Sequence, residues 1–251
     1  MPKLKMPNLR RMFTPDPDHT IFEVDLSGAD ARVVAWEAND APLKAAFRQK
    51  VDIHAFNAEA IWRKDAPLSH YKDDRYPELK KLRQRAKTAI HAVDYGCKER
   101  TLADHIQVSV TEAGRFIDRW FTLHPGIRQW QSNIQRQLYA TSSVTNVWGY
   151  SRPYFDRPSS LLPDALAWIG QSTTAIAINK LIVALDKSGI PLDILLQTHD
   201  SVTFQVFTPL VPIHLPRLRE LCQVTVPYAD PLIMPCDIQT SVSSWGELEA
   251  A

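Results

Sequence analysis

Two segments far apart in the chain each carry an aspartate to the end of an apolar stretch. The first is Phe22-Glu23-Val24-Asp25-Leu26-Ser27-Gly28-Ala29-Asp30-Ala31-Arg32; the second is Leu195-Leu196-Gln197-Thr198-His199-Asp200-Ser201-Val202. Paired carboxylates that hold two metal ions roughly 3.5–4 Å apart are the working parts of phosphoryl transfer. They fix charge where a hydroxyl loses its proton and where a pyrophosphate leaves. Hard oxygen donors suit magnesium, and water completes its octahedron. Neighbouring strands can bring Asp25 and Asp200 together. Taken singly, each also reads as an ordinary strand-end or turn aspartate.

Between them, Arg83, Lys87, His91 and Tyr95 recur at steps of four and share one broad helix face. An arginine fork and a lysine point charge one turn apart grip phosphates. Tyr95, beside Gly96, offers a flat ring where a base can approach the backbone. The plainer alternative is a solvated cationic face. In Val51-Asp52-Ile53-His54, His54 suits a phosphate oxygen or a hydrogen bond within the fold. Gln171 sits in a long apolar stretch, either as a satisfied buried amide or as a reader of base edges in a minor groove. Trp120, Trp130, Trp148 and Trp168 read as core or interface.

These side chains need elements to position them. Residues 1–19, rich in proline and charge, read as an extended arm, and Thr20–Leu26 as a strand. The helical pattern of Ala29–Phe47 is split at Pro42. Ile53–Trp62 continues as helix, and 63–78 is a polar loop. Glu78–Tyr95 is a helix closed by Gly96. Helices follow at Thr101–Ile106, Thr111–Phe121 and Ile127–Tyr139; Thr111 starts no capping box, since Gly114 stands three residues on. Val144–Tyr150 is a strand and bend. Asp164–Asp186 is a helix capped by Asp164 and closed by Gly189 and Pro191. Ile194–Phe207 reads as a hairpin turning near His199-Asp200, Leu215–Cys222 as a short helix and Leu232–Ser243 as a last strand. Strands at both ends with helices between them predict an α+β chain carrying a helical insertion.

A length of 251 residues allows one large domain or two smaller ones. The formal charge of +1 provides no global field toward nucleic acid, so any basic surface is local. Two local candidates are the amino terminus, with Lys3, Lys5, Arg10 and Arg11, and the run from Lys80 to Lys87. Cys97, Cys222 and Cys236 are odd in number and lack C-x-x-C spacing, which argues against a disulfide framework or structural zinc and fits a reducing cytosol. The start, Met1-Pro2-Lys3-Leu4-Lys5, lacks the apolar core of a signal peptide. No apolar run approaches the roughly 20 residues of a bilayer span. The expectation is a cytoplasmic protein, in a bacterial or phage-infected cell, with no membrane partner.

Together the segments resemble family A DNA polymerases, the DNA polymerase I family. Val24-Asp25-Leu26-Ser27 through Arg32 looks like motif A, Arg83-x-x-x-Lys87-x-x-x-His91-x-x-x-Tyr95-Gly96 like motif B, and Gln197-Thr198-His199-Asp200 like motif C. The flanks Pro7-Asn8-Leu9, Asp52-Ile53-His54 and His124-Pro125-Gly126 agree in order. The resemblance covers nearly the whole chain. It implies a palm with an antiparallel sheet and a helical fingers insertion: palm over 1–44, fingers over 45–148, palm again over 149–251. No segment matches a thumb or a proofreading exonuclease. On this resemblance, either another chain supplies those functions or this is a truncated or split polymerase of the kind a phage or mobile element carries.

The resemblance implies that Asp25, the Leu26 carbonyl and Asp200 bind two magnesium ions. Arg83, Lys87 and His54 would contact the triphosphate, with Lys87 protonating the pyrophosphate. Tyr95 would guard the nascent base pair, Gln171 touch the minor groove of the primer–template, and His199 lie by the primer terminus. The pattern departs at His91, where the family has Phe or Tyr against the sugar, and at Asp30, one methylene shorter than the usual steric-gate Glu. Ser201 replaces the Glu after motif C, and Leu26 stands where Tyr is usual. The function implied is a template-directed DNA polymerase core adding deoxynucleotides to a primer 3′-hydroxyl. The alternative is a non-catalytic nucleic-acid-binding subunit, or a fragment needing a partner chain.

Overall fold

The computed structural model describes residues 8–251, so Lys3, Lys5 and Pro7 lie outside the described residues. The chain runs β1 (His19–Leu26), α1 (Ala29–Glu37), α2 (Ala41–Arg48), α3 (Ile53–Trp62), α4 (Pro77–Asp94), α5 (Glu99–Ile106), α6 (Val110–Leu123), α7 (Pro125–Thr141), β2 (Ser143–Thr145), β3 (Ser151–Pro153), α8 (Pro158–Asp186), β4 (Leu192–Thr198), β5 (Ser201–Phe207), α9 (Val211–Leu221), β6 (Val224–Val226), β7 (Leu232–Met234), β8 (Cys236–Ser241) and β9 (Glu249–Ala250). Short 3-10 turns form at Leu9–Met12, within the expected arm, and at Leu68–Lys72, within the expected loop. The fold is α+β, with strands clustered at the two ends of the sequence. Among the described residues no helix is long and apolar enough to cross a membrane.

Contacts divide the chain into two compact units. One joins the residues up to Ala29 with Ser172–Ala251; the other is Asp30–Gln171. The breaks fall after 29 and 171. Side chains account for them. Asp40, which caps α2, accepts from Leu43 N–H at 3.0 Å and lies 2.9 Å from His124 Nδ1, both side chains buried, which ties α2 to the start of α7. Gln135 on α7 donates to the Pro158 carbonyl at 2.9 Å, which holds the start of α8 in the same unit.

The first unit is built on a five-stranded antiparallel sheet in the order β4-β5-β1-β8-β9. Strand alternation gives it two unlike faces. On one, Phe22, Val24 and Leu26 lie opposite Phe204, Val202 and Cys236, and the Phe22 and Phe204 rings stack with centroids 5.1 Å apart. On the other, Glu23 and Asp25 oppose Thr203 and Ser201 of β5 and Gln239 and Asp237 of β8. Glu23, Ser201, Thr203 and Gln205 are buried there. Trp245 Nε1 donates to Glu23 Oε1 at 3.1 Å, and Arg10 Nη1 stands 3.6 Å from the same oxygen. The face is thus a polar lane ending at Asp25. The expected single strand at Leu232–Ser243 is broken at Pro235, which has no N–H for a ladder. β7 pairs with β6 instead, β8 pairs with β1, and the Pro235 carbonyl accepts from Ser27 N–H at 2.9 Å.

The second unit is mostly helical. α4 starts with Pro77 at its first position, where a missing N–H costs nothing. Its buried face, Ala86, Ala89, Ile90 and Val93, recurs at helical spacing. It ends at Asp94, one residue before expected, and Gly96 takes the left-handed conformation that stops it (φ +80°). Two expectations about caps are corrected. α6 begins one residue earlier than Thr111 and does have a capping box: Ser109 Oγ accepts from Glu112 N–H at 3.2 Å, and Glu112 Oε2 accepts from Ser109 N–H at 3.1 Å. α8 starts at Pro158, so Asp164 is inside the helix and pairs with Arg152 at 3.2 Å instead of capping. Trp120 and Trp130 are core residues, buried at 0% and 4% exposure.

Candidate active site

Asp25 closes the polar lane of the first unit. It faces Ser201 on one neighbouring strand and Asp237 on the other. β4 and β5 are joined by the two residues His199 and Asp200, so Asp200 sits at the hairpin tip beside the end of β1. The Leu26 N–H donates to the Asp200 carbonyl at 2.9 Å, which pins that tip to the strand carrying Asp25. The Asp200 side chain is partly exposed, with His199 Nδ1 3.8 Å from its Oδ1. Asp25, Leu26, His199 and Asp200, chosen from two distant segments, therefore meet in one place.

The electrostatics of this place are unbalanced. Burial pushes the Asp25 carboxyl up to about 6, and the charges of Asp200, Glu23 and Asp237 push the same way, against a smaller pull from Arg10. A carboxyl whose ionisation is resisted by burial and by neighbouring carboxylates is one that a cation relieves. The donors are hard oxygens, which fits magnesium. Among the described residues no three His, Cys, Asp or Glu side chains converge as a complete metal cage. Asp25 and Asp200 could supply two carboxylates to a magnesium ion, which usually keeps several waters in its octahedron.

In the second unit the stripe on α4 divides into two groups. At its amino-terminal end, Arg83 Nε donates to Asp52 Oδ2 at 3.0 Å, and its Nη2 stands 2.9 Å from the same oxygen. Asp52 caps α3 through Oδ1, which accepts from Ala55 N–H at 2.9 Å. Burial would raise the Asp52 carboxyl, but Lys72, the Ala55 N–H and Arg83 together hold it far below the usual carboxylate range. His54, in the first turn of α3, has its Nδ1 buried without a partner. Its burial, then the positive charges of Arg83, Lys87 and Lys72, outweigh Asp52 and hold it down at about 4, so it is neutral at pH 7. Lys87 is exposed.

At the other end of the stripe, the His91 and Tyr95 rings meet edge to face, centroids 4.9 Å apart, and His91 Nδ1 is 3.9 Å from Asp30 Oδ2. The Tyr95 hydroxyl and Asp30 Oδ1 are buried and make no hydrogen bond. Burial first, then the fields of Asp30 and Asp94, push the phenol well up. Tyr95 lies against Gly170 of α8. Gln171, next along, is exposed, which removes the buried-amide alternative and leaves its amide open to a ligand.

A model of DNA polymerase family A matches residues 3–247. This chain belongs to DNA polymerase family A. It is 27% identical over 252 residues to the DNA polymerase I of Treponema pallidum (strain Nichols), covering 95% of this chain and 24% of that protein. It is 25% identical over 243 residues to a DNA polymerase of Mycobacterium phage D29, covering 97% of this chain and 37% of the relative. In fold it is similar to the POL domain of Pol1 from M. smegmatis, solved in complex with DNA primer-template and dNTP: TM-score 0.79, 23% identity, 94% of this chain and 42% of that one. The chain thus spans about a quarter of the first relative's length.

Other residues around these groups gained no role from the sequence alone. Glu23 and Asp237 join the acidic cluster only through strand register, which a single sequence does not display. Asp52 carried a readable signal, an Asp placed to cap the helix at Ile53, but its partner lies 31 positions on. Gly170 carried none, since a glycine in an apolar helix reads as filler.

Gly170 yields a prediction. A Cβ there would stand 2.5 Å from the Tyr95 hydroxyl oxygen and 3.4 Å from its Cζ. Gly170→Ala should destabilise the protein by about 1–3 kcal/mol, the usual cost of overpacking. In a Tyr95→Phe background the offending oxygen is gone, and the same change should instead stabilise by roughly 1 kcal/mol through helix propensity. Urea midpoints of the four variants check the reversal of sign.

Proposed function

We propose that this chain is the catalytic core of a template-directed DNA polymerase, which adds deoxynucleotides to a primer 3′-hydroxyl. The observation that carries the reading is the meeting of Asp25 and Asp200 at adjacent strand ends in a family A chain. On this reading the first unit with the helix leading from it is the palm and the helical unit the fingers. Asp25, Asp200 and the Leu26 carbonyl hold two magnesium ions. When bound, the ions supply the charge that activates the primer hydroxyl and neutralises the leaving pyrophosphate.

The chain's own groups do the rest. Arg83 and Lys87 bind and orient the triphosphate, with His54 as a neutral hydrogen-bonding neighbour. Lys87 Nζ gives a proton to the departing pyrophosphate oxygen. Tyr95 packs beside the new base pair and His91 beside the incoming sugar. Asp30 limits the room at the sugar 2′ position. Gln171 touches the minor groove and His199 the primer end. Catalysis of this kind is mostly positioning and fixed charge. The setting is the cytoplasm of a bacterium or phage-infected cell.

The test is primer extension by the purified chain with magnesium and mixed deoxynucleotides at low salt. Extension is expected. Duplex binding without extension would favour the second reading, a nucleic-acid-binding subunit active only with a separate chain bearing thumb or exonuclease functions. The formal charge of +1 is the observation on that side, since it offers little phosphate affinity by itself.

A further inference from the structure

We propose that Lys72 is a further phosphate-binding residue, clamped together with Arg83 by Asp52 so that the two cations engage the terminal phosphate of a nucleoside triphosphate. The proposal rests on the polymerase reading above and extends its triphosphate site. Lys72 Nζ is 2.8 Å from Asp52 Oδ2, the oxygen that also accepts from Arg83. An exposed lysine paired with a carboxylate is ordinarily a weak surface bridge. Three observations set this one apart.

The first is the carboxylate. The Asp52 side chain is only 13% exposed, and its other oxygen is committed to the α3 cap. It is a fixed post, not a mobile surface acid. The second is the delivery of Lys72. It ends the 3-10 turn Leu68–Lys72, anchored by Tyr71, which is fully buried and donates to Glu59 Oε2 at 2.6 Å. The third is surplus charge. The charges acting on His54 are three cations, Arg83, Lys87 and Lys72, against one carboxylate, Asp52. That excess, beside a buried and unpartnered His54 Nδ1, suits a polyanion.

Donor counting says what remains for a ligand. An ammonium has three N–H donors and a guanidinium five. Asp52 accepts from Arg83 Nε and lies 2.8 Å from Lys72 Nζ, which holds both groups and leaves donors on each. The order of groups gives the position. Along α4 the row runs from the Tyr95 ring through His91 and Lys87 to Arg83, and the shared Asp52 oxygen sets Lys72 beside Arg83 at that end. With the base at the ring end, the phosphate at the Lys72 end is the terminal one.

Calorimetric titration of the purified chain at low salt, with a deoxynucleoside triphosphate and separately a monophosphate, tests this. Lys72→Ala should weaken triphosphate binding about tenfold, as loss of a charge-assisted contact does, and monophosphate binding less than about twofold. Lys72→Arg should restore most of the loss. Lys80→Ala, whose lysine pairs with Asp74, should bind like the parent. In extension assays Lys72→Ala should raise KM with kcat unchanged. Unchanged triphosphate binding in Lys72→Ala, or equal losses for both nucleotides, overturns the proposal. If Arg83→Ala and Lys87→Ala still weaken binding, the polymerase reading survives that outcome; if they do not, it falls too.

Discussion

On the proposed function, Asp200→Ala should lower single-nucleotide incorporation by about a thousandfold or more while leaving the protein folded. The expected size follows from the several kcal/mol of charge stabilisation that a metal-binding carboxylate organises, at 1.36 kcal/mol per tenfold in rate. The fold survives because Asp200 serves the structure through its backbone. Its carbonyl accepts the Leu26 N–H, and alanine keeps that bond. The side chain is partly exposed at a hairpin tip, so its removal opens no cavity. Primer–template affinity should change little. Rapid-quench incorporation alongside far-UV circular dichroism checks both halves. Extension near the parent rate would remove Asp200 from the reaction.

Asp25→Asn should abolish extension equally and yet raise stability. The Asp25 carboxyl sits at about 6 in the folded chain against an ordinary 3.8, because burial and then the charges of Asp200, Glu23 and Asp237 resist its ionisation. A raised folded value means that the protonated form is favoured by folding. That contribution is complete below about 3.8 and is lost as pH rises through about 6. At pH 7.5, without metal, ionised Asp25 therefore strains the fold, and asparagine removes the charge at nearly constant shape. The group is half-buried, so screening reduces the gain to about 1 kcal/mol, or about 2–4 °C in melting temperature for a chain of this size. The gain should shrink toward zero as pH falls to 4. Melting curves in chelator across that range decide it; a lower midpoint for Asp25→Asn at pH 7.5 would show that the carboxylate is structural.

Much of this was legible in the sequence, for identifiable reasons. Thr20–Leu26 and the hairpin around His199-Asp200 announced themselves because apolar runs ended at turn residues. α4 did so because its apolar positions keep helical spacing. The two aspartates and the Arg83-to-Tyr95 stripe were visible as residue types at fixed intervals. What stayed hidden depended on pairing. Glu23 looked like an ordinary polar position in a strand, and only its place opposite Thr203, under Trp245, makes it a buried charge. Asp164 had the chemistry of a cap, yet α8 begins at Pro158. The capping box at Ser109 was missed because β-branched Val110 and Thr111 obscured the first turn. The unit boundaries followed tertiary hydrogen bonds such as Asp40 to His124, which join residues 84 positions apart.

The central claim is that Asp25 and Asp200 jointly hold divalent cations. Its most direct test is a manganese titration followed by electron paramagnetic resonance, on the parent chain and on Asp25→Asn and Asp200→Asn, with primer–template and a deoxynucleoside triphosphate present. The parent should sequester manganese, and each variant should leave most of it in solution. Equal sequestration by all three proteins would contradict the assignment.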